Sequence, residues 1–315
     1  MKKIIVLIIA LSVCLFAQKE VLPTQTYIAS GDVQDIVLDG ELLYIATDVS
    51  KVDIYNINTN EMIKHIEIPK IKDFMGQDIN AKIYSVDVLD GMVMFVSEGE
   101  SGYRNLWIYT DEKLSQIINI QSKYFMRKAK FVDNSHILIA LLTNDHILYD
   151  WKNKKAIYTT QLSTSSFSDF KLSEDKLTFV SSDESGIVRK VNTKSSRVLE
   201  SYDGQNVDRV YQLDYKQGVI LTAGQDRRAV VYKPYSSYYL QFDFLLYSCA
   251  LSPSAKLVAV AYNIENDVLV YEVDSKNRLY SLTGARATIT NILFINENEI
   301  LVSSDSKQIN YYKLK

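Results

Sequence analysis

The chain carries three histidines, His65, His136 and His146, and two cysteines, Cys14 and Cys249, too few and too scattered for metal-ligand spacing. All three histidines read as polar strand or turn positions, and no metal site is expected. No Gly-x-Ser-x-Gly elbow presents a serine nucleophile, and the serines are spread through turn-like segments. Aspartates and glutamates are abundant, but most fall where turns are expected, so no pair is assigned to acid–base work. Neither Gly-x-Gly-x-x-Gly nor Gly-x-x-x-x-Gly-Lys-Ser/Thr occurs, which removes nucleotide binding of those kinds. No catalytic residue, no metal ligand and no cofactor is therefore assigned.

What remains is recognition chemistry. Phe74 and Met75, flanked by charged residues, have the character of a hydrophobic anchor. Tyr84, Arg127, Arg209 and Tyr247, with the turn Asp226-Arg227-Arg228, supply the aromatic and arginine side chains that protein interfaces favour. A second aromatic set, Tyr235, Tyr238, Tyr239, Phe242 and Phe244, reads as the face of an outer strand, where edge coverage explains it as well as binding does.

The elements that must position these residues are short Val-, Ile- and Tyr-rich runs bounded by Asp, Asn, Ser or Gly, with no sustained helical period after the first turns of sequence. The chain is all-β. Lining up strand–turn–strand segments on Tyr55 gives Tyr55, Tyr109, Tyr149, Arg189, Tyr232, Tyr271 and Tyr312, at spacings of 54, 40, 40, 43, 39 and 41. A period near 40 with several short strands per unit is the signature of propeller blades, because one blade cannot bury both its faces without neighbours. Seven markers predict a seven-bladed β-propeller of four-stranded blades.

In the first unit the strands are expected at 33–38, 42–47, 51–57 and 62–68. The second strands, such as Leu42-Leu-Tyr-Ile-Ala-Thr and Leu257-Val-Ala-Val-Ala-Tyr, are apolar on consecutive positions, as strands covered on both faces should be. The seventh unit ends at Lys315 straight after its third strand, while 20–29 is a surplus strand-like segment, so the mature N-terminus is expected to close the last blade. The first spacing is oversized because 69–82 is inserted between the outer strand of blade one and the inner strand of blade two. That connection crosses the face where inner strands begin, beside the central channel. The residues Tyr84, Arg127, Arg209 and Tyr247, placed just before inner strands, are expected on the same face.

Residues 1–17 read as a cleavable secretory signal, with Lys2 and Lys3 ahead of the apolar run 4–13 and a small residue at Ala17. The expected domains are thus a signal peptide at 1–17 and a propeller at 18–315, exported to the periplasm, with no membrane span after signal removal. Removing Lys2 and Lys3 from 35 basic residues leaves 33 against 38 acidic ones, a net charge of about −5, which argues against a nucleic-acid partner. Cys14 leaves with the signal, so Cys249 cannot form an intrachain disulfide, and Ser248-Cys249-Ala250-Leu251 is the setting of a buried thiol.

These units resemble WD-repeat propellers over essentially the whole mature chain. The third strand ends in an aromatic, Tyr where such repeats usually have Trp, and an aspartate follows several second strands at Asp48, Asp183, Asp226 and Asp305. No Gly-His dipeptide occurs, and only Asp150 matches the aspartate that normally follows the aromatic, so the usual hydrogen-bond relay of those repeats is expected to give way to packing. More narrowly, the Tyr-rich, Lys-rich and Gly-poor blades behind a signal sequence resemble the NapL family of periplasmic nitrate reductase accessory proteins. The likeness lies in segments such as Val52-Asp-Ile-Tyr-Asn-Ile and Leu221-Thr-Ala-Gly-Gln-Asp-Arg-Arg-Ala-Val-Val-Tyr. That resemblance implies a non-catalytic scaffold supporting nitrate reductase maturation or electron supply through contact with another exported protein, such as a nitrate reductase component. The competing reading is a propeller enzyme with a cofactor or hydrolytic site over the channel. Oligomeric state is left open.

Overall fold

A computed structural model describes residues 18–314. The expected export signal at 1–17 lies outside them. Six four-stranded antiparallel sheets and one five-stranded sheet succeed one another along the chain, each in the order inner, second, third, outer strand. In blade one these strands are Val33–Asp39, Leu42–Thr47, Lys51–Asn56 and Glu61–Glu67. Tight turns join neighbours within a blade. At Asp90-Gly91 and Gln217-Gly218 both turn residues have positive φ, the mirror-image hairpin turn whose twist suits antiparallel strands.

Each interface between adjacent blades holds its own apolar cluster, and the seven clusters run round the ring without a break. The one that closes it joins Leu301 and Ile309 of blade seven to Leu43, Ile45 and Tyr55 of blade one, with Tyr27 and Ala29 of the N-terminal segment between them. This is a closed seven-bladed β-propeller, as the period predicts.

The closure is more elaborate than expected. Gln25–Ile28 pairs antiparallel with Gln308–Lys313 and is the outer strand of blade seven, but Lys19–Val21 runs parallel to Arg278–Leu282 and adds a fifth strand to blade six. Pro23, which has no N–H to donate, lies between the two pairings. The N-terminal segment therefore straddles two blades.

One marker of the period moves. Tyr55, Tyr109, Tyr149, Tyr232, Tyr271 and Tyr312 each sit opposite the second residue of their second strand, namely Leu43, Val93, Ile137, Ile220, Val258 and Ile300. In blade four the residue opposite Phe179, which holds that position, is Val191, and Arg189 faces Ser181 instead. The true marker is two residues further on. Arg189 is free to turn to Asp183, which it meets at 2.6 Å on a fully buried carboxylate.

Candidate functional site

The inner strands build the channel wall, and their polar residues link blade to blade. Asp35, Asp87, Asp169 and Asp214 each use one carboxylate oxygen to accept a backbone N–H from the next blade's inner strand, from Val86, Phe131, Leu213 and Leu251 at 2.7–3.1 Å. Lysines lie among them. Lys128 meets Asp169 at 2.6 Å, Lys130 lies 3.4 Å from Asp87, and Lys216 lies 3.8 Å from Asp214. Burial pulls the Lys128 ammonium below its ordinary pKa against the pull of Asp169. Packing does join the blades, as expected, but this ladder of channel aspartates is a second, polar joint.

At the end where inner strands begin, a recess of about 280 Å³ opens over the channel, lined by residues of all seven blades. Tyr84, Arg127 and Tyr247 line it, together with Ser168, Tyr211 and Asn291. Tyr84 and Arg127 are the second residues of the inner strands Ile83–Leu89 and Met126–Phe131, so they belong to the wall itself and do not precede it. Arg209 stands just before Val210–Lys216, with its guanidinium 5.7 Å from the Tyr211 ring and 3.1 Å from Glu184. Gly224 lets it sit there, because a Cβ on Gly224 would come within 2.5 Å of the Arg209 carbonyl. Arg104, which the sequence did not single out, packs its guanidinium 4.3 Å from the Tyr84 ring.

The arginines at the recess act on one another. Burial, then the neighbouring Arg104 and Arg209 charges, push the Arg127 guanidinium below its ordinary pKa, with Tyr84 opposing. The Tyr84 hydroxyl is raised by burial. Tyr211 and Tyr247 stack at 5.2 Å, and Phe244 meets Tyr247 edge-on at 6.2 Å, forming an aromatic shelf beside the arginines.

A solved structure described as the Cps50 (Swd1) β-propeller domain of Myceliophteria thermophila matches with a TM-score of 0.73 at 12% identity, covering 93% of this chain and 99% of that one. This chain has the fold of that propeller domain. At so low an identity the likeness with Swd1 extends to the fold alone. No protein-family model matches the chain, and no curated protein does.

Relative to that propeller frame, the remaining candidates fall away from the recess. The insertion 69–82 folds into a small hairpin of Ile71–Lys72 and Asp78–Ile79, tied by a 2.6 Å Lys72–Asp78 ion pair. The Asp73 carboxylate accepts from the Met75 and Gln77 amides at 2.8 Å and shapes the tip. Phe74 and Met75 project from it, 98% and 69% exposed. Between this hairpin and the turn at 98–102 lies a separate groove of about 410 Å³. Arg227 and Arg228 are not part of the recess either. Arg228 donates to the Gln205 carbonyl at 2.6 Å and covers the Tyr239 ring at 4.2 Å, so it staples the edge of blade five. Of the second aromatic set, only Tyr238 and Tyr239 lie on the outer strand Ser236–Gln241; Phe242 is buried beyond it and Tyr235 stands fully exposed before it.

His146 departs from the polar strand or turn position expected of it. It is completely buried, stacked on Phe179 at 5.2 Å and met edge-on by Phe167 and Phe170. Its ring nitrogens contact Ser181 Oγ at 3.1 Å and the Asn144 carbonyl at 3.3 Å. Burial lowers its pKa from 6.5 to about 4, with Asn144 pulling weakly the other way. Cys249 is buried as expected, its thiol pushed up by burial first and by Asp214 next. Among the described residues no group of three or more His, Cys, Asp or Glu side chains is arranged to hold a metal ion, and no helix is long and apolar enough to cross a membrane.

Proposed function

We propose that this chain is an exported, non-catalytic accessory protein that docks another exported protein on the channel-mouth face. The observation that carries the reading is the gathering of Tyr84, Arg127, Arg209 and Tyr247 around one recess, with the Phe74-Met75 hairpin entering blade two from the same face. Aromatic and arginine side chains are the usual anchors of protein interfaces. An acid–base site over the channel is the poorer use of these residues, since Asp35, Asp87, Asp169 and Asp214 are each already held by backbone N–H groups of the adjoining blade. The resemblance to the NapL family supports a partner from periplasmic nitrate respiration, in reductase maturation or electron supply.

Affinity capture from periplasmic extract tests this. The intact protein retains an exported partner, and a Tyr84→Ala/Tyr247→Ala variant loses most of it, on the order of tenfold or more for a hot-spot pair. Phe74→Ala/Met75→Ala reports separately on the hairpin. Equal recovery by all three proteins removes the face from the account, and a partner unrelated to nitrate reduction removes that part alone.

A further inference from the structure

Three arginines, Arg104, Arg127 and Arg209, stand at the recess, and among the described residues only Arg209 has an acidic partner, Glu184 at 3.1 Å. Among the described residues Arg127 is exposed at the mouth with no ion-pair or hydrogen-bond partner for its guanidinium, and the half-buried Tyr84 and Tyr247 beside it have no partner for their hydroxyls. The Nε atoms of Arg104 and Arg209 and the Oγ of Ser168 are buried without a partner. Buried donors left unpaired are costly, and like-charged guanidiniums brought together repel. An anion seated beside Arg127 relieves the repulsion among the guanidiniums.

The wall beneath limits what that anion can be. Asp35 and Asp169 also line the recess, so a dianion or polyanion meets repulsion just below the arginines. A single carboxylate, with one charge, meets less of it, and its two oxygens match the planar fork of a guanidinium. The stacked Tyr211 and Tyr247 rings, with Phe244, offer an apolar seat for the side chain next to it. We infer that the channel mouth is a carboxylate-binding site, with Arg127 as the principal ligand and Arg104 beside it, built to hold an acidic side chain or a chain terminus of a docked protein. This rests on the docking reading above.

The test uses the full mature protein with isotope-labelled arginine side chains followed by NMR. N-acetyl-phenylalanine stands for a chain terminus, N-acetyl-aspartate amide for an acidic side chain, and N-acetyl-phenylalanine amide and inorganic phosphate are the controls. The expected result is that one or both carboxylate probes shift the Arg104, Arg127 and Arg209 signals saturably, while the amide and phosphate bind at least about tenfold more weakly. Arg127→Gln lowers the affinity by about tenfold to a hundredfold, the loss of one charge-assisted hydrogen bond, and Arg127→Lys restores part of it. Equal binding of acid and amide, tighter binding of phosphate, or an unchanged affinity in Arg127→Gln overturns the site. Capture of a partner that Arg127→Gln retains in full overturns the site and leaves docking standing; carboxylate binding with no partner captured does the reverse.

Discussion

Replacing Tyr27 with alanine lowers the stability of the whole ring by about 3–5 kcal/mol, although Tyr27 lies only ten residues beyond the expected signal cleavage site. The side chain is 1% exposed and belongs to the cluster that joins blade seven to blade one. Its ring meets Tyr55 edge-on at 5.7 Å, and its hydroxyl donates to the Ile57 carbonyl at 3.1 Å, while Tyr55 donates back to the Ile28 carbonyl at 2.6 Å. Truncation therefore empties a large apolar site, leaves the Ile57 carbonyl without that donor, and loosens the strand that covers the open edge of blade seven. In a chain of this size the loss corresponds to a fall in melting temperature on the order of 5–10 °C, measured by calorimetry. Ile28→Ala, at the half-exposed end of the same strand, is the comparison and costs far less. Equal melting temperatures for both variants and the parent would mean that the N-terminal segment merely lies on a ring closed by other contacts.

The second large effect is a pH dependence that belongs to a single buried ring. His146 has its pKa lowered from 6.5 to about 4 by burial, so the unfolded chain takes up a proton that the folded one refuses. Stability attributable to His146 is complete above about pH 6.5 and is lost as pH falls towards about 4, by about 3 kcal/mol in all. Facing it are the rings of Phe167, Phe170 and Phe179, with Ser181 and Asn144; the Asp183 carboxylate beyond Asn144 accepts from it at 3.1 Å and is already paired with Arg189. His146→Phe fits the same aromatic cage, loses the Ser181 contact, and flattens the slope between these pH values. Denaturant unfolding at about pH 7.5, 5.5 and 4.5 reads the difference between the two proteins, in which contributions common to both cancel. Parallel stability curves for the two would contradict the buried, neutral imidazole.

How much of this was written in the amino acids differs from element to element. The blade period was readable because the tyrosines that end the third strands recur opposite the same residue of the second strands. It slipped in blade four because Val191 holds that place with no aromatic ring, and an arginine two residues earlier offered a false match. The N-terminal outer strand was readable as a surplus at one end against a deficit at the other. The three residues that extend blade six were not, since Lys19–Val21 is short, pairs parallel and carries no alternation.

The candidate site shows the same division. Tyr84, Arg127, Arg209 and Tyr247 could be gathered by counting from the inner strands. Arg104 could not, because it starts a third strand, Arg104–Thr110, and reaches the recess only by lying over Tyr84. Arg228 looked equivalent from its place in a turn, but its partners Gln205 and Tyr239 belong to the outer part of blade five. His146 looked polar between Asp145 and Ile147, and the phenylalanines that enclose it come from the next blade, more than twenty residues on. In each case the deciding contact lies across strands or blades, where local pattern is silent.

The docking face is tested most directly by placing a photo-crosslinking residue at Tyr84, Tyr247 and Phe74 in turn, and at Gly40, in the inner-to-second-strand turn at the opposite end of blade one, then irradiating cells that express the protein. The account predicts crosslinks to the same exported protein from Tyr84 and Tyr247 and none from Gly40. Crosslinks from Gly40 with none from the two tyrosines would contradict it.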